Sequence, residues 1–371
     1  MQKDFKLPGI VWGTMWMLFI WLGYDMLTEF RNYLYPLFLG GLFAYLLYPM
    51  ANFFEKHGVP RILSNILSIL IGLVVVSGVS FVIYKQVTLF LQDIPQMQTN
   101  VSHNINLIFK RINEVTGIQS NDLKNSVKQM TSNLLNFSGA NLKNTFSQTF
   151  QTVFTIGIMP VYVFFLLYYR NKFKEVILML VSSHRHKLAT QIIDDINQLV
   201  IYYMSGVFKV VTILAVINST GFLIIGLKHA LFLGILAALM NFIPYYGTII
   251  GYFFPLFIAL FTMGSPVYAF LVLIQFAVVQ FTENNILTPN IVGAHVKLNP
   301  FMIILAITLG GFVWGLPGMF IAVPMAAVLR VLGENIPAMA PIGYLLGSSG
   351  TEEHSITADK ISRFFKRIVK K

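Results

Sequence analysis

The stretch LFLGILAALMNFIPYYGTIIGYFFPLFIALF, Leu231–Phe261, decides the fold, and FMIILAITLGGFVWGLPGMFIAVPMAAVL, Phe301–Leu329, repeats its logic. At about 1.5 Å per residue, either stretch drawn out as one helix overshoots a hydrocarbon core of about 30 Å by roughly half again. Each carries breakers at its centre: Pro244 and Gly247 in the first, then Gly315, Pro317 and Gly318 in the second, with Gly310 and Gly311 just before them. Proline removes a backbone donor and clashes with the preceding turn, while glycine tolerates the dihedrals of a reversal. Each stretch therefore reads as two half-helices around an unwound tip, neither half long enough to span. A pair of re-entrant hairpins satisfies this pattern, and so do two tilted, proline-kinked spans. Irregular backbone at membrane depth survives only where protein or water satisfies it, and paired interrupted segments point to a transporter's binding site.

Composition supports a bilayer setting. The chain is 56% hydrophobic and 11% charged, against about 25% charged in a typical soluble domain. With no cysteine there is no disulfide framework, thiolate nucleophile or cysteine-based metal site. A net charge of +11 would suit nucleic acid, but the basic residues are scattered through loops and the tail instead of sitting among stacking aromatics on one face.

Around the two broken segments lie six full spans: Ile10–Leu27, Tyr33–Phe54, Ile62–Tyr84, Phe146–Tyr169, Leu199–Leu227 and Pro266–Phe281. The first is longer than the apolar core of a signal peptide and no small-x-small cleavage site follows it, so it reads as a retained helix. The result is an all-α polytopic membrane protein of about eight hydrophobic segments. Short segments on one side hold Lys3, Lys6, Lys56, Arg61, Arg170, Lys172, Lys174, Arg185 and Lys187, whereas the opposite short loops hold Arg31, Lys228 and Lys297. The positive-inside rule then places both termini in the cytoplasm. Five regions follow: transmembrane helices 1 to 3 (1–84), a polar amphipathic helical insertion (85–145), the fourth helix with a cytoplasmic linker (146–198), the core transport region with both broken segments (199–331) and a basic cytoplasmic tail (332–371).

In the insertion, Phe90, Ile94, Met97, Val101, Ile105, Ile108 and Ile112 recur every three or four residues, and Leu123, Val127, Met130 and Leu134 do so again. Two amphipathic helices are predicted, their stripes packed within the subunit, with a homo-oligomer contact as the second reading. In the linker, His184 and His186 have no third ligand at plausible spacing and stand beside Arg185 and Lys187, so they predict a turn facing lipid headgroups and no metal site.

Ionisable side chains inside a membrane are costly and functional by default. Two are prominent: Lys209, about ten residues into the fifth helix, and Glu283. Glu283 opens the run ENNILTPNIVG, 283–293, at the end of a helix that also offers Gln275 and Gln280. A carboxylate among amides suits a proton or sodium site, and a small neutral solute could be held by Asn241, Gln280, Asn284 and Asn285. Lys209 is a candidate partner for an anionic substrate or a carboxylate, or else an interfacial lysine on a longer helix. Pro244, Gly247, Pro289, Gly293, Gly315, Pro317 and Gly318 are the candidate hinge or unwound-tip positions.

Asn241-Phe-Ile-Pro-Tyr-Tyr-Gly247 with Pro255, the run Gln280 to Gly293, Asn299-Pro300, the glycines 310, 311, 315 and 318, and Pro324 occur in the order found in the AI-2E family of bacterial membrane transporters, which this chain resembles over nearly its whole length. Gly41 to Pro49 is similar to the family's second helix, and Tyr246 stands where members commonly carry valine. The resemblance implies membrane transport without a cofactor: export of autoinducer-2, or exchange of sodium or lithium for protons. The expected partners are a small polar solute or monovalent cation and the surrounding lipid. A non-transporting scaffold is the rival from another class, and the absence of a His-Glu-x-x-His motif argues against an intramembrane enzyme.

Overall fold

A computed structural model describes residues 9–116, 125–127, 129, 157–263, 265–292 and 297–348. Among them the regular elements are helices, joined by one isolated bridge between Leu298 and Gly347. Among the described residues, six helices are long and apolar enough to cross a membrane. Helix α1 (Gly9–Glu29) stands against the others chiefly near its end, where Leu27 accepts a hydrogen bond from Trp314 Nε1 at 2.9 Å. Its large apolar side chains are otherwise exposed, the surface expected of a helix solvated by lipid.

Helix α2 (Arg31–Lys56) contacts α3 (Arg61–Thr116) and α4 (Met159–Tyr168). The three are tied at one end by charge. Glu55 takes both Arg170 nitrogens, at 3.0 and 2.5 Å, with Arg61 at 3.8 Å, and Arg170 also lies over the Tyr48 ring. Of the predicted fourth span, residues 146–156 lie outside the described residues.

The third span does not stop at Tyr84. Helix α3 continues through Pro95 to Thr116, because its apolar stripe finds a partner along the whole length. Phe90, Ile94 and Met97 are buried against Leu227, Phe232, Leu233 and Ile258, and Val101 and Ile105 against Phe257 and Phe261. The first amphipathic helix of the insertion is thus the far end of a membrane span, packed within the subunit. The second falls mostly outside the described residues.

The polar linker 170–198 is largely helical as well. Helix α5 (Arg170–Met179) precedes a 3₁₀ turn at Ser183–Arg185, and α6 (His186–Ile225) begins well before the predicted Leu199. Ile192, Leu199, Val200, Tyr203 and Met204 bury one side of α6 in the largest core.

Both broken stretches fold back on themselves. Helices α7 (Ala230–Met240) and α8 (Tyr246–Thr262) form the first hairpin, with Gly251 seated on Ala237. Helix α9 (Pro266–Thr282) follows. The second hairpin is α10 (Pro300–Asn335), reversed at Gly315 with φ 62° and ψ −140°. Gly310 and Gly318 touch across the reversal, where a methyl on either would overlap the other's carbonyl; a continuous helix would hold them about 12 Å apart. The short α11 (Ala340–Leu346) packs back on α10 through Gly333 and Gly343.

The two tips solve their reversals differently. At the second, Gly315 itself adopts the backbone conformation that side chains resist. At the first, Tyr245 carries the positive φ of 65°, and Gly247 supplies clearance, since a Cβ there would strike the Met240 carbonyl oxygen. Pro317 stands just beyond the Gly315 reversal, early in the returning half, and Pro244 lies within the first tip.

Candidate functional site

The first tip meets the end of α9 at a half-buried carboxylate, Glu283. Asn241, immediately after α7, donates from Nδ2 to Glu283 Oε1 at 2.5 Å, while its Oδ1 accepts from Thr248 Oγ1 at 3.1 Å. A carboxylate only accepts, so the amide must face it with nitrogen and leave its oxygen to the threonine hydroxyl.

Glu283 opens a π-helical turn, Glu283–Leu287, and such turns recur at functional sites because they widen the ladder and free carbonyls. Asn285 Nδ2 donates to Phe281 O and Asn290 Nδ2 to Ile286 O, each at 2.8 Å. These two amides are therefore turned onto the segment's own backbone. Asn284 is exposed and Gln280 half-buried, close by on the same segment. Pro289 lies in the last helical turn, Thr288–Ile291, on the exposed side; Gly293 lies outside the described residues.

Packing fixes the tip against α6 and α10. Phe242 meets Phe208 of α6 and Phe320 of α10, with ring centroids 6.0 and 5.6 Å apart. Ile243 is buried with Ile307 and Ile321, and Tyr246 Oη reaches Thr308 Oγ1 at 3.5 Å. Gly206 lets α6 approach the backbone of Ile291 and Val292 directly below the π turn. Lys209, one turn further along α6, is exposed and makes no ion pair among the described residues. The structure thus brings Asn241 and Glu283 together, places Gln280, Asn284 and Asn285 on the same segment as Glu283, and leaves Lys209 unlinked to them.

The family model of the AI-2E family transporter matches residues 10–338, a range that contains both hairpins and the π turn. The chain belongs to the AI-2E transporter family. It is 26% identical over 335 residues to "Putative transport protein YrrI" of Bacillus subtilis, covering 88% of this chain and 90% of that one. Against "Putative transport protein YueF" of the same organism it is 27% identical, with 81% and 84% covered. Against "Putative permease PerM" of Escherichia coli the figures are 24%, 84% and 89%. Together with its spans, these matches make the protein a multi-pass membrane transporter.

In this AI-2E family member the structure adds polar residues that a search for charge alone passes over. Tyr252, one turn beyond Thr248 on α8, donates to Asn218 Oδ1 of α6 at 2.5 Å, and Gln275 Nε2 of α9 donates to the Asn218 carbonyl at 3.2 Å. Asn218 is 2% exposed. Gln275 and Glu283 lie eight residues apart on α9 and its extension, so the polar groups form a line along the α6, α8 and α9 interface. An amide within an otherwise apolar span, here Asn218, is the sequence signal that finds this line.

Proposed function

We propose that the protein is a secondary active transporter that exports a small polar molecule such as autoinducer-2 across the bacterial plasma or inner membrane, with Glu283 as the coupling group. The observation that carries this reading is the chain Thr248–Asn241–Glu283, which joins a hairpin tip to an intramembrane carboxylate. Protonation inverts its hydrogen-bond polarity. A neutral Glu283 gains an O–H that can donate to Asn241 Oδ1 once the amide turns over, and Asn241 Nδ2 then donates to Thr248 Oγ1. Charge state at Glu283 is thereby converted into a rearrangement at the tip, and neutralisation lowers the cost of moving the carboxyl through hydrocarbon. In the alternating-access cycle the two hairpins and α9 with its π turn move as a unit holding the solute at Asn241, Gln280, Asn284 and Asn285, against a scaffold of α1 to α3. Both termini lie in the cytoplasm.

Exchange of sodium or lithium for protons is the second reading, favoured by the carboxylate lying among side-chain amides. It is weaker because Glu283 meets an N–H donor, which competes with a cation for the same oxygen.

The test is flux into proteoliposomes, following labelled autoinducer-2 under an imposed pH gradient and proton movement under a sodium or lithium gradient. Autoinducer-2 flux that responds to the pH gradient in the wild type and loses that response in Glu283→Gln supports export. Cation-driven proton flux without autoinducer-2 movement moves the assignment to antiport. Silence in both assays leaves the scaffold reading.

A further inference from the structure

Helix α5 has an apolar side that no described residue covers. Phe173, Val176, Ile177 and Leu180 recur at spacings of three and four, so they share one side of a helix, and all are exposed, Leu180 to 83%. The neighbouring side rests on α6, where Lys174 Nζ lies 2.7 Å from Asp194 Oδ1 and Leu178 is half-buried. Glu175 projects opposite the stripe. At about 15 Å the helix is too short to cross hydrocarbon.

Its position and charge name what covers the stripe. Helix α5 follows α4 directly, with Tyr168 closing α4 and Tyr169 joining the two, an aromatic pair typical of a membrane boundary. Lys172 Nζ lies over the Tyr169 ring at 5.7 Å. Arg185 and Lys187 follow the stripe, and between positions 170 and 187 Glu175 is the sole acidic residue. A short amphipathic helix with apolar residues on one side and cations flanking it matches an element lying in the headgroup region of an anionic leaflet.

We propose that α5 is an interfacial helix that beds Phe173, Val176, Ile177 and Leu180 in one leaflet and draws anionic phospholipid headgroups to Lys172, Arg185 and Lys187. The absence of native cysteine makes the test direct. Nitroxide labels at Leu180→Cys and Glu175→Cys are compared in full-length protein in nanodiscs of phosphatidylcholine with and without phosphatidylglycerol. The 180 label is expected to collide more with oxygen than with a water-soluble nickel complex, and the 175 label to do the reverse. Spin-labelled phosphatidylglycerol should be retained at the protein over its phosphatidylcholine counterpart, and the triple variant K172Q/R185Q/K187Q should cut that preference at least threefold while the 180 label keeps its depth. A 180 label open to nickel overturns the proposal. So does one shielded from both reagents, which would mean that a second copy or another part of the chain covers the stripe. A deep label with an unchanged lipid preference in the triple variant overturns the assignment of the headgroup site.

Discussion

Asn241 and Glu283 lie 42 positions apart and meet at 2.5 Å, so the tip of one hairpin and the widened turn of the next helix form one polar unit. Replacing Asn241 with leucine removes both the donor to Glu283 and the acceptor for Thr248. An interhelical hydrogen bond in a bilayer averages about 0.6 kcal/mol, so the thermal midpoint of the detergent-solubilised variant should move little. Transport should nevertheless fall by about tenfold or more, the equivalent of roughly 1.4 kcal/mol of lost coupling. A comparable loss of fold and flux together would reduce Asn241 to a structural role.

Gly315 carries φ 62° and ψ −140° at the second reversal, with nothing near its absent Cβ. Crowding is therefore not the constraint there; the backbone conformation is. Gly315→Ala should destabilise by about 1–3 kcal/mol, read as a lower unfolding midpoint. Gly247→Ala offers the contrasting case, failing through collision with the Met240 carbonyl. Relieving that collision requires the tip to open, so the larger effect of Gly247→Ala should appear in transport.

The second hairpin can be trapped covalently. A Cβ at Gly311 would lie 3.2 Å from Met319 Cγ, so the two positions face each other across the reversal, whereas a continuous helix would separate them by about 12 Å. Because the chain has no cysteine, the double variant Gly311→Cys, Met319→Cys has no competing thiols. Mild oxidation should form the crosslink in most molecules, detected by loss of thiol labelling, and reduction should restore labelling. Persistent labelling of both thiols would return α10 to a kinked span.

Much of the architecture was legible because hydrophobic length is a blunt signal. Leu231–Phe261 and Phe301–Leu329 are too long for one crossing and carry their breakers centrally, so sequence alone locates the two tips. The choice between hairpin and kink was not legible, since it depends on Gly310 meeting Gly318 and Gly251 meeting Ala237, contacts between small residues that local sequence does not encode. The far end of α3 escaped for a related reason: polar residues after Tyr84 resemble a separate domain, yet Phe90, Ile94 and Met97 continue the helix against the base of the first hairpin. At the site, charge exposed Glu283 and the motif exposed Asn241. Thr248, Tyr252 and Asn218 stayed hidden because neutral polar residues in a span are common as interhelical glue.

A second polar junction predicts a pH effect remote from Glu283. His229, the residue before α7, has φ 62°, stacks edge-on to Phe90 at 5.5 Å, and places Nε2 2.9 Å from Asp93 Oδ2, which also pairs with Lys228 at 2.7 Å. Burial holds the imidazole below its ordinary range, with Lys228 adding to the effect and Asp93 only partly opposing it. Because the folded value is depressed, the unfolded chain binds the proton first as pH falls below about 6.5. The junction between α3 and the first hairpin should therefore lose stability from that point down to the folded value, where His229 itself becomes charged. Scanning thermal stability between pH 8 and 5 should show this decline on top of any general acid effect, and His229→Gln, which keeps a polar side chain but cannot titrate, should flatten it. An identical pH profile in the variant would assign the decline to other groups.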